Sequence, residues 1–515
     1  MSFIHRFPLL WVAFGLVIGV WAAEKGLPYL PHLGGIALLG FVFLYFFNQK
    51  YPSFRNEKIS VGMLILAAVG LGAWGMEQQK PDTSLLEPLK NQTLQWVGVI
   101  DGKVKQKVNG RSTTIQTFGY WRDSSFVPMN CKLRVWIDSA TKTKVEKYDS
   151  VYFVAKTSEL KSKYPAYLQY LHRNQVFLSA RVYQIAVKGK ANSVAGFAFQ
   201  IQQKLSNQLL SLFSDTTTGA ITVAMFLGEE HYLEEDAQQK FAKTGVSHIL
   251  AISGQHFAVL YLLLNWLLSF LQNIKYGKKG KYLIILALLI FYALLCGAAA
   301  SIVRAVAMYI FIILAKILNR RHETLNLLGA SAVLQIFFKP MIIFNLGFQL
   351  SYMAVLGIVL LYPIFENFFR ISHPIGKHLV EWIGITFCAQ LCTTPFILMA
   401  FGTFPTYFLL ANILVAFVAM PLTYVGFLLV FFAYIPFINR VLAFISHYLL
   451  LVMQFLVDKI AALPHALISK DDYFGIVIVC VQIVLAVGIL YLIKHFKAPQ
   501  FEDDYEPALT SWGLN

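Results

Sequence analysis

Long apolar segments fill most of the chain and alternate with short polar linkers. A helix needs about 20 apolar residues to cross the hydrocarbon core of a bilayer. Three segments of this kind come first and nine follow after Gly245, although several are short enough to be re-entrant. We therefore predict about twelve membrane helices, over Phe7–Ala23, Leu33–Phe47, Ile59–Met76, Ser247–Leu271, Tyr282–Cys296, Ser301–Leu318, Thr324–Phe338, Ile342–Tyr362, Glu381–Phe401, Tyr407–Phe432, Val441–Leu463 and Phe474–Ile493.

A polar segment between the third and fourth apolar groups has the pattern of β-strands. In Cys131–Asp138, apolar residues alternate with Lys132, Arg134, Trp136 and Asp138, so one face of the strand is buried and the other is wet. Asn109-Gly110 is the residue pair typical of a two-residue hairpin. The predicted strands are Leu94–Ile100, Lys103–Val108, Ser112–Tyr120, Cys131–Asp138, Val151–Thr157 and Val176–Val187, with a short helix over Pro165–His172.

These elements predict the fold class and domains. Five or six short strands fit a small β-barrel of the OB type, and a β-sandwich stays open. Ser193–Phe213 is amphipathic and is expected on the membrane surface or against other helices. We predict a polytopic α-helical membrane protein with an inserted OB-like, extracytoplasmic β-barrel domain. Its parts are three helices (1–79), the basic β-domain (80–192), amphipathic helices (193–245), a channel domain (246–495) and an acidic tail (496–515).

Composition supports a membrane protein. Charged residues make up 14% of the 515 residues and hydrophobic residues 57%, which excludes both soluble and disordered chains. Residues 80–190 hold 19 Lys/Arg against 8 Asp/Glu, a net charge of +11 out of +16 for the chain. The basic linker at Lys50, Arg55 and Lys58 is expected to be cytoplasmic, which places the β-domain outside the cytoplasm.

Several catalytic patterns are missing from the sequence. The twelve histidines include no H-x-H or H-E-x-x-H pattern, and no G-x-x-x-x-G-K-[ST] phosphate loop occurs. The five cysteines form no C-x-x-C pair. We predict no metal, no cofactor and no enzymatic activity for this chain, so any transport needs energy from a partner or a gradient.

Polar side chains within apolar segments are the candidates for a passage. A charge near the bilayer centre costs roughly 2.5 to 3.5 kcal/mol even on lenient insertion scales, so it needs partners or water. Arg304 is either an interfacial, snorkelling residue or a fixed cation for a passing phosphate. Each of the other candidates, taken alone, is more typical of a helix–helix contact, and together they are predicted to line a polar conduit: Gln349, Ser351, Tyr352, Gln390, Thr394 and Asn412.

The segment Met225–Phe257 is the densest polar cluster near the membrane. His231 and Glu235 have i, i+4 spacing, which permits a metal but stands in an acidic, solvated run. Ser253 and His256, three residues apart, permit a serine hydrolase. No G-x-S-x-G pattern surrounds Ser253. A kinked helix start with close backbone approach at Gly254 is the simpler interpretation.

The stretch GEEHYLEED and then FAKTGVSHILAISGQHFAVL, Phe241–Leu260, resembles the ComEC family, the bacterial inner-membrane proteins that pass incoming single-stranded DNA during natural transformation. NLGFQLSYMAVLGI, Asn345–Ile358, is also similar to that family. Gln255 stands where many relatives have an aliphatic residue. The resemblance implies a multi-pass inner (plasma) membrane protein with single-stranded DNA, lipid, a cytoplasmic ATP-driven motor, a periplasmic DNA receptor and a separate nuclease as partners. Many relatives carry a carboxy-terminal metallo-β-lactamase-like domain, and this chain is expected to differ from them in lacking it. The nuclease is therefore expected to be a separate chain.

The resemblance and the residues together give the predicted function, a channel for uptake of single-stranded DNA. Its path is predicted to be lined by Ser253, Gln255, His256, Arg304, Gln349, Gln390 and Asn412. Cations for phosphates and aromatic rings for base stacking suit a sequence-blind handler. The predicted DNA-binding residues of the β-domain are Lys103, Lys105, Lys107, Arg111, Trp121, Arg122, Lys132, Arg134 and Trp136.

Alternatives remain for both regions. Trp and Tyr residues in a small barrel are more often part of the core, and a basic surface outside the cytoplasm is also typical of contact with anionic lipid. Engagement of about five phosphates predicts that log affinity falls with log salt at a slope near −3.5. The rival functions are a transporter for another polyanion or a small solute, and a membrane-embedded serine hydrolase.

Overall fold

The computed structural model describes residues 7–27, 29–50, 54–79, 83–107, 109–122, 125–139, 141, 143–274, 276–320, 323–368 and 374–469. The chain forms two compact units. We call them the helical unit, Met1–Trp21, Tyr29–Gly72 and Ile201–Asn515, and the sheet unit, Ala22–Pro28 and Ala73–Gln200. The predicted span Phe474–Ile493 and the acidic tail 496–515 lie outside the described residues.

Sixteen α-helices occur in the described part of the chain. They are α1 Pro8–Glu24, α2 Leu30–Lys50, α3 Phe54–Gln78, α4 Pro165–Arg173, α5 Val194–Ser211, α6 Thr216–Leu227, α7 Glu235–Thr244, α8 Ser247–Leu250, α9 Gly254–Leu267, α10 Gly277–Leu295, α11 Ala300–Ile317, α12 Thr324–Phe338, α13 Leu346–Phe368, α14 Pro374–Phe401, α15 Phe408–Phe431 and α16 Ile438–Ala461. Four short 3₁₀ segments join them, at Thr83–Leu89, Glu230–Tyr232, Ser269–Asn273 and Pro340–Phe344.

Seven segments of the described chain are long and apolar enough to cross a membrane: Ile59–Gln78, Ser247–Leu267, Ala300–Ile317, Leu346–Asn367, Gly376–Phe401, Phe408–Phe431 and Ile438–Ala461. Four shorter apolar helices, of 10–17 residues, are Pro8–Glu24, Leu30–Leu44, Thr216–Leu227 and Thr324–Phe338. Three of the predicted spans fall on these shorter helices. The prediction of a polytopic helical membrane protein is confirmed, whereas the full predicted number of spans is not reached by the long helices alone.

Glycines bring the first three helices together. A methyl group added at Gly34 of α2 would lie 2.3 Å from Gly70 Cα of α3, and one added at Gly72 would lie 2.4 Å from the Leu16 carbonyl oxygen of α1. Helices in lipid gain packing energy where small residues let their backbones approach. The three amino-terminal helices therefore pack backbone against backbone.

The polar residues of the predicted amphipathic segment form hydrogen bonds to other helices in α5. Gln202 is buried and donates to the Leu227 carbonyl at 2.6 Å, and Gln208 donates to the Ala433 carbonyl at 3.1 Å. Leu209 is buried on the same helix. Of the two predicted placements, the polar residues support packing against other helices, because their amides satisfy carbonyls at helix ends.

The sheet unit contains seven strands in its described residues. They are β1 Thr93–Ile100, β2 Lys105–Lys107, β3 Gly110–Arg122, β4 Ser125–Pro128, β5 Lys132–Asp138, β6 Asp149–Glu159 and β7 Val176–Lys190. A separate two-stranded sheet in the helical unit pairs β8 Thr403–Pro405 with β9 Leu467–Ser469. All six predicted strands are present, and β4 was not predicted.

The strand pairings of the sheet unit form a closed path that begins and ends at β1. β1 pairs with β6, β6 with β7, β7 with β5, β5 with β3, and β3 again with β1. Among the strand pairings of the described residues, only β5 and β7 run parallel. The enclosed core contains Trp96, Ile115, Leu133, Val135 and Ile137, all fully buried. The predicted alternation along β5 is confirmed, since buried and partly exposed residues alternate over its whole length.

The predicted hairpin forms with a different turn. Lys107 of β2 pairs with Gly110 of β3, so the ladder extends to Gly110. Gly110 belongs to the ladder and has a φ of 156°. A methyl group there would lie 2.4 Å from the Ile137 carbonyl oxygen on β5. The prediction of Asn109-Gly110 as the turn was wrong by one residue, because Gly110 is needed for close approach of β5.

Candidate functional site

A membrane helix is interrupted at the serine–histidine motif. The apolar segment Ser247–Leu267 consists of the single turn α8 and of α9, which begins at Gly254. Between them Ala251 and Ser253 are extended, with ψ of 141° and 173°. Backbone that leaves the helix at membrane depth is tolerated where protein buries it or where it lines a polar cavity. The break thus places the amino terminus of α9 inside the helical unit, and side chains satisfy part of its backbone, since Ser253 N–H donates to His256 Nδ1 and the Ile252 carbonyl accepts from Ser301.

Arg304 of α11 lies beside this break. Its side chain exposes 8% of its surface, its Nε donates to Ser351 Oγ of α13 at 2.6 Å, and a methyl group at Gly254 would lie 3.2 Å from its Nη2. The Tyr352 ring centroid lies 6.0 Å from the guanidinium carbon. Among the residues that the structure describes, no carboxylate forms an ion pair with Arg304. The guanidinium is therefore a buried cation whose charge the described chain does not neutralise.

Hydrogen bonds hold the neighbouring polar side chains. Ser331 Oγ and Gln335 Nε2 of α12 each lie 2.8 Å from Tyr352 Oη. Ser301 donates to the Ile252 carbonyl at 3.3 Å, which ties α11 to the break in the membrane helix. These contacts fix α11, α12 and α13 around Arg304, so its position depends on three helices.

His256 closes the start of α9. Its Nδ1 accepts from the Ser253 backbone N–H at 3.2 Å and lies 3.0 Å from Ser253 Oγ. Its Nε2 is buried and has no hydrogen-bond partner within the described residues. The ring packs edge-on against Phe226 and Phe427, with centroids 6.1 and 6.5 Å away. The serine and histidine are thus in contact, but no acid orients the imidazole in the described chain.

The other predicted path residues divide into two groups. Ser253, His256 and Arg304 come together at the break, and Gln255 is exposed directly after Gly254. Gln349, Gln390 and Asn412 make local contacts: they donate to the Ile343 carbonyl, to Thr394 Oγ1 and to the Phe408 carbonyl, at 2.9, 3.2 and 2.7 Å. Their assignment to a path stays a prediction.

His231, which was paired with Glu235 in the metal alternative, contacts Glu229 in the structure. His231 Nδ1 lies 2.6 Å from Glu229 Oε2, and Glu229 is buried. Within the described ranges, no group of three or more His, Cys, Asp or Glu side chains has the placement to hold a metal ion. The geometry at His231 is that of a close histidine–carboxylate contact with Glu229.

In the sheet unit, basic and aromatic residues form a row across four strands. Lys105 pairs with Ser112, Ser112 with Trp136, and Trp136 with Arg181. Directly paired residues share one face of a sheet, so this row carries two cations and an indole. Arg134, two residues before Trp136, lies on the same face. We call the face defined by Lys105, Trp136, Arg181 and Arg134 the basic face.

A helix extends the basic face with tyrosines that sequence reasoning missed. Tyr164, Tyr167 and Tyr170 are 67%, 39% and 55% exposed, and the last two rings stack with centroids 6.0 Å apart. The guanidinium of Arg134 lies 5.0 Å from the Tyr167 ring centroid. The signal was present in the sequence, because tyrosines three residues apart share one side of a helix.

Four of the predicted DNA-binding residues are placed away from the basic face or engaged within the sheet unit. Arg111 donates to the carbonyls of Thr141 and Thr143, at 2.6 and 2.8 Å. Lys132 forms an ion pair with Asp101 at 2.7 Å. Trp121 and Arg122 lie nine and ten residues beyond Ser112 on β3, roughly 30 Å along an extended strand. Lys103 is exposed before β2, and the side chain of Lys107 is outside the described part.

The fold and the site define a multi-pass membrane protein with a broken helix at a buried arginine and an inserted basic sheet unit. The family model described as "Competence protein" matches residues 225–495. The chain belongs to the ComEC family of competence proteins.

Two curated relatives show how much of the chain is similar to known proteins. The chain is 25% identical over 238 residues to "ComE operon protein 3" of Bacillus subtilis (strain 168), an alignment that covers 46% of this chain and 29% of that protein. It is 27% identical over 197 residues to an "Uncharacterized protein" of Aquifex aeolicus (strain VF5), covering 38% of this chain and 44% of the relative. The chain thus matches less than half of the length of either relative. No solved structure matches it.

Proposed function

We propose that this chain is the channel through which single-stranded DNA crosses the bacterial inner membrane during natural transformation. The observation that carries the proposal is the buried guanidinium of Arg304 at the break between α8 and α9. Membership of the competence family supports the same function.

The chemistry of the break suits a phosphate. A nucleic acid strand carries one negative charge per nucleotide and cannot cross hydrocarbon without a hydrated, cationic lining. Arg304 offers guanidinium donors, and its Nη2 lies near the α9 amino terminus, where the helix dipole is positive. A passing phosphate would interact favourably with the guanidinium and with the helix amino terminus. The guanidinium is available to it, because no carboxylate of the described chain forms an ion pair with Arg304.

We further propose that the sheet unit is a small barrel of the OB type that receives the strand outside the cytoplasm. Its closed path of strand pairing and its one parallel pair, β5 with β7, support a barrel. The basic face supports strand binding, since Arg134 and Lys105 are placed for phosphates and Trp136 with the α4 tyrosines for bases. Arg181 forms an ion pair with Asp138 at 3.2 Å.

The partners follow from the same proposal. Moving a charged polymer in one direction needs work, so a cytoplasmic ATP-driven motor would pull the strand. A periplasmic receptor would deliver DNA, and a separate nuclease would remove the complementary strand. That this chain is not itself an enzyme stays a prediction.

Complementation tests the proposed channel. A naturally transformable strain that lacks its own homologue is supplied with this chain, with Arg304→Ala, or with Arg320→Ala. Arg320 is the matched control, because it is an exposed arginine just after the same helix. We expect the Arg304 variant to lose transformation while its amount in the membrane stays normal. Full transformation by Arg304→Ala would contradict the proposal.

One contact favours a second candidate, a membrane-embedded hydrolase. Ser253 Oγ and His256 Nδ1 are 3.0 Å apart, which is the distance of an activated nucleophile and its base. Labelling of the chain by a serine-directed fluorophosphonate, lost in Ser253→Ala, would establish this activity.

Competition distinguishes transport of another polyanion from DNA uptake. If the chain transports another polyanion, heparin should compete for the basic face as well as an oligonucleotide does.

A further inference from the structure

A cavity in the helical unit lies away from Arg304 and has its own buried cation. Its volume is about 510 Å³, within the usual range for small-molecule sites. Asn265, Trp266, Ser269, Gln272 and Lys281 contribute to its wall, together with Tyr424. The cavity therefore combines amide and hydroxyl groups, aromatic rings and one ammonium group.

Lys281 is the unusual member of this wall. It exposes 1% of its surface, and within the part of the chain that the structure describes its ammonium has no hydrogen-bond or ion-pair partner. Lys316 of α11, whose Nζ lies 3.4 Å from Tyr261 Oη, is close enough to repel it. A buried ammonium without a partner is costly, and a second positive charge nearby adds to that cost. A bound anion would remove both penalties.

The segment that contributes Trp266 to the cavity wall has the composition of a membrane–water interface. Trp266, Phe270 and Tyr276 are 73%, 61% and 78% exposed. Aromatic residues of this kind concentrate at the level of lipid headgroups. The exposed Lys278 and Lys279 follow directly in α10, and clustered lysines beside a membrane attract anionic lipid.

We propose that this cavity binds the phosphate of an anionic membrane lipid. The headgroup phosphate accepts hydrogen bonds from Lys281, and the Ser269 hydroxyl and Gln272 amide supply further donors. The acyl chains leave past Trp266 toward the bilayer. This site is separate from the proposed DNA path and does not depend on it.

Lipid binding to the full chain tests the proposal. The protein is purified in neutral detergent and titrated with phosphatidylglycerol, with phosphatidylcholine, and with inorganic phosphate, and bound lipid is counted by native mass spectrometry. We expect one tightly held phosphatidylglycerol, and about tenfold weaker binding in Lys281→Gln because one charge-assisted hydrogen bond is lost. Lys279→Gln, which removes an equal charge from the exposed part of the same helix, should bind normally.

A second variant, Ser269→Glu, tests lipid binding in case Lys281→Gln does not fold. Ser269 is exposed at the cavity, so Ser269→Glu is tolerated and places a carboxylate where the phosphate would sit. It should abolish tight binding. Equal loss in the Lys281 and Lys279 variants would indicate diffuse attraction and overturn the proposal. Equal binding of phosphatidylcholine would do the same, and so would displacement by inorganic phosphate at matched concentration, which would make free phosphate the ligand.

Discussion

The contact between Arg134 and Tyr167 allows phosphate binding and base stacking to be measured separately. Arg134 lies 5.0 Å from the Tyr167 ring centroid, so both side chains would meet the same nucleotide. Arg134→Ala removes a cation and leaves the ring, whereas Tyr167→Ala removes the ring and leaves the cation. The two variants should therefore change different properties of the binding curve.

The magnitudes follow from the chemistry of each side chain. Loss of one phosphate contact reduces the slope of log affinity against log salt by about 0.7 for a single strand. Loss of one stacked base costs about 1–3 kcal/mol, or roughly 5- to 150-fold in affinity, with little change in the slope. Because Arg111, Lys132 and Arg181 are bound within the sheet unit, we expect about two phosphate contacts, at Lys105 and Arg134, and a wild-type slope of about −1.4, shallower than −3.5.

Fluorescence anisotropy of a labelled oligonucleotide, with the full chain in detergent at several salt concentrations, measures both quantities. Tyr152→Ala is the matched control, since that tyrosine is 43% exposed on β6 and its ring centroid lies 5.5 Å from the Lys188 ammonium of β7. The reasoning is refuted if Tyr167→Ala and Tyr152→Ala bind alike, or if Arg134→Ala keeps the wild-type slope.

Three further predictions concern the break and the sheet unit. Gly254→Ala places a methyl group 3.2 Å from Arg304 Nη2, so transformation should fall several-fold while membrane insertion stays normal; an unchanged frequency would show that guanidinium placement is unimportant. Trp96→Ala empties the centre of the sheet unit and should cost about 3–5 kcal/mol, seen as rapid proteolysis of that unit; slow proteolysis would contradict the assigned core. The hydrogen bond from Lys190 lowers the pKa of Glu146, so its stabilisation is present above the ordinary carboxyl pKa and is lost as pH falls through the lowered value. Glu146→Gln should therefore reduce acid destabilisation in thermal melts, and an identical acid profile would exclude this contribution.

The sequence predicted most of the sheet unit because burial there follows a simple period. The alternation of β5 gave the correct inward residues, Leu133, Val135 and Ile137. β4 was missed because Ser125–Pro128 is short and ends in proline. The basic face was predicted only in part, since ion pairs such as Lys132 with Asp101 depend on strand neighbours that the sequence does not reveal.

The helical unit was predicted less completely for a different reason. Hydropathy identifies apolar helices, yet it carries no information about which side a polar residue faces. Gln202 belongs to a segment predicted to lie on the membrane surface or against other helices, and it is buried as a donor to the Leu227 carbonyl. Lys281 directly precedes the predicted span Tyr282–Cys296, and its side chain is almost fully buried. Ser253 and Gly254 were correctly placed at an interruption, because their residue types mark a helix start.

Photo-crosslinking at Gln255 tests the central claim most directly. Gln255 is exposed and adjoins the break at Gly254, so a photoreactive amino acid there should contact a strand in transit. Met399, which is 84% exposed on α14, is the control position. With labelled donor DNA and illumination during transformation, the account predicts a DNA adduct at position 255 and none at 399. Adducts at 399 alone, or none at 255 in actively transforming cells, would place the DNA path elsewhere.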